Sequence, residues 1–227
     1  MINGGYTLMA LHIIDAVHGM VKLDELQSQL LDTPEVQRLK EIRQLGLANL
    51  VFPGAHHTRL EHSLGTSHVS SMIGNELNLS NDEKKLVTSA GMLHDLGHIP
   101  YSHTFESVLF SRLGFDHMDL TESLIKGDGE LVLEPAVPEI LIKHGVEPNE
   151  VSDLIKGMKQ TPSQATLNSP KDGGQSHFCK NRLLHQIVHS TLDADQLDFL
   201  LRDSYFTGVA HGVIDLQRII RSMRVLN

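Results

Sequence analysis

Gly91-Met92-Leu93-His94-Asp95-Leu96-Gly97-His98 is the stretch on which the reading of this chain turns. Leu86, Val87, Ala90, Met92 and Leu93 make the segment apolar, so it is expected to be buried. Ahead of it, Ser80-Asn81-Asp82-Glu83 is a capping box, which predicts a helix from there to about His94. Leu-Gly-His-Ile-Pro at 96–100 supplies a glycine stop followed by proline. A His-Asp doublet at the end of a buried helix is costly unless it is paired or metal-bound. Imidazole plus carboxylate suits Zn, Mn, Fe or Ni, and further His and carboxylate groups are then expected close by. The chain offers them: His98 and His103 just after the doublet, His117 and Glu122 a helix later. Arg59-Leu60-Glu61-His62 opens one helix, and Asp193 and Asp195 lie in the late segment LHQIVHSTLDADQLDFLLRD at 184–203. A lone buried histidine reads first as a hydrogen-bonded core residue, and His-Asp alone is common. The apolar helix, doublet, glycine break and further histidine together are more specific.

Outward from this stretch the pattern is helical. Between Asp24 and Leu45, Leu26, Leu30, Leu31, Val36, Leu39, Ile42 and Leu45 recur at three and four, with a restart at Asp32-Thr33-Pro34, where Asp32 or Thr33 caps and proline opens the first turn. Asn49–Thr58 reads as a loop around Pro53-Gly54. A helix follows from about Arg59 to Leu77, and others are expected at 102–112, 117–126, 137–144 and 148–157. Residues 158–177, rich in Ser, Pro and Gly, read as a flexible surface loop or lid. A long helical pattern runs from Cys179 to Asp203, and a last helix covers 214–225. Strand signals amount to at most a short hairpin near Ile13–Leu23. The expectation is an all-α helical bundle, one domain over 1–227, with at most that N-terminal β-hairpin.

Composition narrows the chemistry. The 227 residues are 40% hydrophobic and 21% charged, with 15 His against 19 Lys plus Arg, one Cys and no Trp. One cysteine cannot form an internal disulfide, nor build a cysteine-ligated zinc or iron–sulfur site. Any metal site must therefore be made of histidine and carboxylate. The net charge of −9 argues against broad nucleic-acid binding, which needs a basic surface, while leaving room for a local basic pocket. No stretch approaches the roughly 18 apolar residues of a membrane span. The N-terminus lacks a basic n-region and carries His12, Asp15 and His18, so it does not read as a signal peptide. A cytoplasmic protein is expected.

Four blocks carry a family resemblance: Asp15-Ala16-Val17-His18-Gly19; DTPEVQRLKEIRQLGLANLVFPGAHHTRLEHSLG at 32–65; GMLHDLGHIPYSHTFE at 91–106; and LDADQLDFLLRDSYFTG at 192–208. The chain resembles the HD-domain superfamily of metal-dependent phosphohydrolases, whose ligands follow the order His…His-Asp…Asp. Within it the chain is most similar to the deoxynucleoside triphosphate triphosphohydrolases (the dGTPase-like and SAM-and-HD-domain branch). The resemblance implies an HD-domain helical bundle in which His62, His94, Asp95 and Asp195 hold one divalent metal ion (Mn, Fe, Zn, Ni or Mg). It also implies that Arg59 contacts phosphate, for which a planar guanidinium fork is suited. His98, His103 and His117 match the family's additional active-site histidines, with His103 as general acid oriented by Glu106 one turn on. Gln44 matches a residue touching the nucleotide sugar. Asp198, Arg202 and Asp203 read as partners in intrahelical and cross-helix ion pairs.

The implied reaction splits a dNTP into deoxynucleoside and triphosphate by attack at the α-phosphorus. Three departures bear on it. Gln196 and Phe199 stand where the vertebrate enzyme has Lys and Tyr, leaving Phe199 in the substrate-binding position. Lys40 replaces an arginine in the segment resembling an activator-nucleotide region. Proteins of the branch also continue past the position of Asn227 with helices that close the pocket and build the oligomer, so the chain reads as the HD core: a small stand-alone hydrolase, a fragment, or a protein that relies on self-association for its missing wall. The nucleotide is therefore the expected partner, either as a dNTP or, in a second reading, as a monophosphate or other phosphoester. A third reading is a nucleotide-binding regulatory module with weak catalysis.

Overall fold

The structure, a computed structural model, describes residues 10–128, 135–157, 182–210 and 212–225. Two strands, β1 (Leu11–Asp15) and β2 (Gly19–Leu23), form an antiparallel hairpin in which Leu11 faces Leu23 and Asp15 faces Gly19. The α-helices of the described residues are α1 (Glu25–Leu31), α2 (Pro34–Gln37), α3 (Arg59–Glu76), α4 (Asn81–Leu93), α5 (Ser102–Leu113), α6 (His117–Lys126), α7 (Val137–Lys143), α8 (Pro148–Lys156), α9 (182–188), α10 (Ala194–Thr207) and α11 (Leu216–Ser222). This is the all-α bundle with one short hairpin that the periodicity predicts. No helix among the described residues is long and apolar enough to cross a membrane.

Side-chain caps set the helix starts, at α4 and α2 as the sequence predicts. Ser80 and Glu83 close a capping box at α4, and Thr58 and Glu61 close another at α3. Thr33 caps α2 with Pro34 in its first turn. Each side-chain oxygen takes one of the N–H groups that a helix start leaves without an internal partner. The core packs α3 against α4 and α10, with Val69, Ile73, Val87, Ala90, Leu93 and Leu197 buried among one cluster of aliphatic side chains.

Three expectations are corrected, one by pairing with a distant segment and two by local caps. The helical period over 24–45 does not continue as α-helix past Gln37: Arg38–Glu41 is a 3-10 turn, and Ile42 is extended. There the backbone pairs with the segment entering α3, through Arg59 N–H to Ile42 O (2.9 Å) and Gln44 N–H to His57 O (3.1 Å). Leu39 and Ile42 are buried all the same, so the apolar spacing was honoured while the backbone chose other partners. The pattern predicted from Cys179 to Asp203 is interrupted at 189–193. Asp193 turns the chain by accepting from the N–H groups of Ser190 and Gln196, both at 2.7 Å, and starts α10 afresh. The last helix is shorter than expected, Leu216–Ser222, because Asp215 caps it at Arg218 N–H. The expected loop at 158–177 lies outside the described residues.

Candidate active site

Three helices bring the site together. The Thr58–Glu61 capping box fixes where α3 begins, and so puts Arg59 and His62 on its first two turns. His94 closes α4, and Asp95 follows it. Asp195 sits in the first turn of α10 behind its Asp193 cap. After the doublet the chain is held tightly. Arg38 donates to the carbonyls of His98 (2.8 Å) and Leu96, and Gly97 N–H donates to Thr121 Oγ1 (2.8 Å). Gly97 lies so close to α6 that a Cβ there would stand 2.1 Å from the His117 carbonyl.

The ligand-type atoms of His62, His94 and Asp195 lie within 4.8 Å of one another. His62 Nε2 is 2.9 Å from Asp195 Oδ1 and 3.3 Å from His94 Nε2. The outer nitrogens settle the tautomers. His94 Nδ1 donates to the Gly91 carbonyl (2.8 Å), and His62 Nδ1 donates to Asp198 Oδ2 (2.7 Å). Both partners only accept, so in the neutral rings each Nε2 carries a lone pair, and these two face each other beside a carboxylate oxygen. Three convergent lone pairs need a cation between them, and this donor set fits a divalent metal ion.

The electrostatics agree. Burial alone would push the His62 pKa down, but the hydrogen bonds to Asp195 and Asp198, with the charges of Asp198 and Asp95, carry it up to about 10. Without a metal, a proton takes the positive place. Asp95 adjoins the triad. Its Oδ1 lies 3.4 Å from His94 Nε2 and 3.2 Å from His98 Nε2, and its Oδ2 pairs with Arg59. Burial opposes its charge, yet His94, His98 and Arg59 hold its carboxyl well below the usual range.

These residues line a cavity of about 480 Å³, within the roughly 300–1,000 Å³ usual for small-molecule sites. Gln44, Arg59, His98, His117 and Phe199 reach it. His98 and His117 stack with ring centres 4.1 Å apart. Burial, with the nearby positive charges of Arg59 and His117, outweighs Asp95 and pushes the His98 pKa down to about 4. His98 is therefore neutral at physiological pH and does not add to a positive pocket.

Glu106 meets His117 Nδ1. The side chain of His103, its expected partner, lies outside the described residues. Glu122 is not brought to the site: it pairs with Lys126 (2.5 Å) and Lys156 (2.6 Å). Sequence reading missed three contributions. His189 lines the cavity, as does Asp203, held by His57 Nε2 at 2.7 Å. Leu45, Met118, Ile155 and Val188 form an apolar wall with Phe199. No local motif marks that wall, because its members come from separate elements.

Residues 59–169 match the family profile of the HD domain. The chain is 36% identical over 216 residues to protein MJ1154 of Methanocaldococcus jannaschii, covering 93% of this chain and 37% of that protein. It is 30% identical over 229 residues to the human deoxynucleoside triphosphate triphosphohydrolase SAMHD1, covering 94% of this chain and 36% of that protein. Among solved structures, a phosphohydrolase from Bacteroides thetaiotaomicron superposes with a TM-score of 0.74 at 30% identity, covering 96% of this chain and 47% of that one. The chain spans less than half the length of these curated relatives. Its profile match, its fold and its His…His-Asp…Asp order agree, and the chain belongs to the HD-domain superfamily.

Proposed function

We propose that the chain is a metal-dependent phosphohydrolase acting on nucleotides, of the dNTP triphosphohydrolase type. The observation that carries this reading is the convergence of His62, His94 and Asp195 on one point in the wall of a cavity that also presents Arg59. Those three residues, with Asp95 as the adjoining carboxylate, would hold one divalent ion. Its identity among Mn, Fe, Zn, Ni and Mg is left to metal analysis. Bound there, the ion supplies Lewis acidity toward the phosphoryl group.

The chain's own residues supply the rest. Arg59, anchored on Asp95, presents a guanidinium to the phosphates in a buried setting where charge-assisted hydrogen bonds are strong. Gln44 and Asp203 offer polar contacts to the sugar side, and Phe199, Met118, Ile155 and Val188 an apolar surface for the remainder of the nucleoside. When the α-phosphorus–oxygen bond to the sugar breaks, the departing oxygen needs a proton. His117, held at Nδ1 by Glu106, is oriented to provide it. His103, given this role by its motif, is the alternative proton donor, and comparing the His103→Ala and His117→Ala variants decides between them. Self-association is supported by the exposed apolar side chains of α5, Phe105, Val108, Phe110 and Leu113; light scattering of the purified protein tests it.

A second reading, hydrolysis of a nucleoside monophosphate or other phosphoester, is favoured by one feature. Among the described residues lining the cavity, Arg59 is the sole Arg or Lys, little charge for a triphosphate. Chromatography of products from a panel of dNTPs, NTPs and NMPs with Mn²⁺ or Mg²⁺ separates the readings. Deoxynucleoside plus triphosphate supports the first, and free phosphate from monophosphates the second. Binding without turnover would sink both in favour of a regulatory module.

A further inference from the structure

We propose that Asp198 is the positioning residue that aims His62 at the metal, and that the N-terminal hairpin holds this aspartate in place through Asp15, His18 and Arg202. The inference rests on the metal-centre reading above.

Asp198 is fully buried, and both of its oxygens are used twice. Oδ1 takes hydrogen bonds from His18 Nε2 (2.6 Å) and Arg202 Nη2 (2.9 Å); Oδ2 takes them from His62 Nδ1 (2.7 Å) and Arg202 Nε (2.9 Å). Arg202, also fully buried, reaches with Nη1 to Asp15 Oδ2 (2.8 Å). Asp15 is fixed in turn by its hairpin, where Oδ1 accepts the N–H groups of Val17 and His18, both at 2.8 Å. The carboxylate therefore cannot rotate, and one oxygen stays directed at the His62 ring.

A purely structural ion pair would need only the Arg202 fork. Here two further donors arrive from other elements, and one of them is the histidine whose opposite nitrogen faces Asp195 and His94. An ionised carboxylate on Nδ1–H fixes which nitrogen keeps the proton and raises the basicity of the other. The packing is arranged around this contact. Gly65 lies one turn after His62 on α3, and a Cβ there would stand 1.8 Å from Asp198 Oδ1 and 2.4 Å from Arg202 Nη2. Only a bare backbone lets α3 approach α10 closely enough for the carboxylate to reach His62.

The test compares Asp198→Asn and Asp15→Asn with the unsubstituted chain. Zn²⁺ affinity is measured by chelator competition, and the His62 Nδ1–H proton resonance is followed in the zinc-loaded protein. Gln27→Leu, which removes a buried hydrogen bond to Ser67 away from the site, controls for simple destabilisation. Asp198→Asn is expected to weaken Zn²⁺ binding about 10- to 100-fold and to move the His62 resonance upfield. Asp15→Asn shifts both in the same direction by less, and Gln27→Leu leaves both unchanged. Wild-type affinity and an unmoved resonance in a folded Asp198→Asn protein would overturn the role of Asp198. If that variant does not fold, Asp15→Asn decides by the same two readouts. An unsubstituted chain that takes up no metal would overturn the metal-centre reading instead.

Discussion

At the scale of single residues, the proposed function divides the site into groups that would hold a metal and groups that would handle substrate, and substitution separates them. His94→Ala removes one of three convergent donors, and metal analysis of the purified variant should find far less than one ion per chain; full occupancy would reject the ligand assignment. Arg59→Ala should lower kcat/KM by about 100-fold or more, the scale of losing a charged group that acts in the transition state, with metal content close to wild type. Equal loss of both would remove its phosphate role. His68 provides a test of stability against pH. Burial first, then the charge of His18, lower its pKa below the ordinary 6.5. The unfolded chain thus binds a proton that the folded chain refuses, so this contribution is complete above about pH 6.5 and is lost as pH falls below it. Denaturant unfolding at pH 7.5 and 5.5 should show a smaller acid loss for His68→Gln than for the unsubstituted chain.

Individual elements carry the spacing that these residues require. The turn from α4 to α5 works because Gly97 lies flat against the start of α6. Gly97→Ala would force a methyl group into backbone, 2.1 Å from His117 O and 2.5 Å from Thr121 N. Such overpacking costs about 1–3 kcal/mol or more. Melting should occur at lower temperature, and activity should fall because His98 and His117 are driven apart. By contrast, the Lys156 bridge from α8 to Asp119 and Glu122 on α6 is solvent-accessible. Lys156→Met should cost about 1 kcal/mol or less, and less again in high salt. Helix starts were legible because a cap is a local contact: Ser80 with Glu83, Thr33 with Pro34. The misreadings at 38–45 and 189–193 have the opposite origin. There the backbone bonds to a segment distant in the chain, or to a local cap, Asp193, hidden inside a continuous apolar period.

For the molecule as a whole, a metal held by His62, His94 and Asp195 would tie together α3, α4 and α10, three separate parts of the chain. Ligand binding to the folded state alone adds about 2.7 kcal/mol at a free concentration one hundred times Kd. Chelation should therefore lower the melting temperature, and re-addition of the metal should restore it; a melting curve indifferent to chelator would contradict a metal spanning these helices. The amino-acid sequence by itself determined the helical class, the caps, and a His…His-Asp…Asp order with Arg59 one turn ahead of His62. Those signals lie in residue type and short spacing, where local physics is decisive. Only the tertiary structure decided that Glu106 meets His117, and that His189 and Asp203 line the cavity. It also decided that Asp198 serves His62 as well as Arg202. Each of these depends on how closely α3, α6 and α10 approach one another, and that distance is set by packing at Gly65 and Gly97 against side chains far away in the sequence.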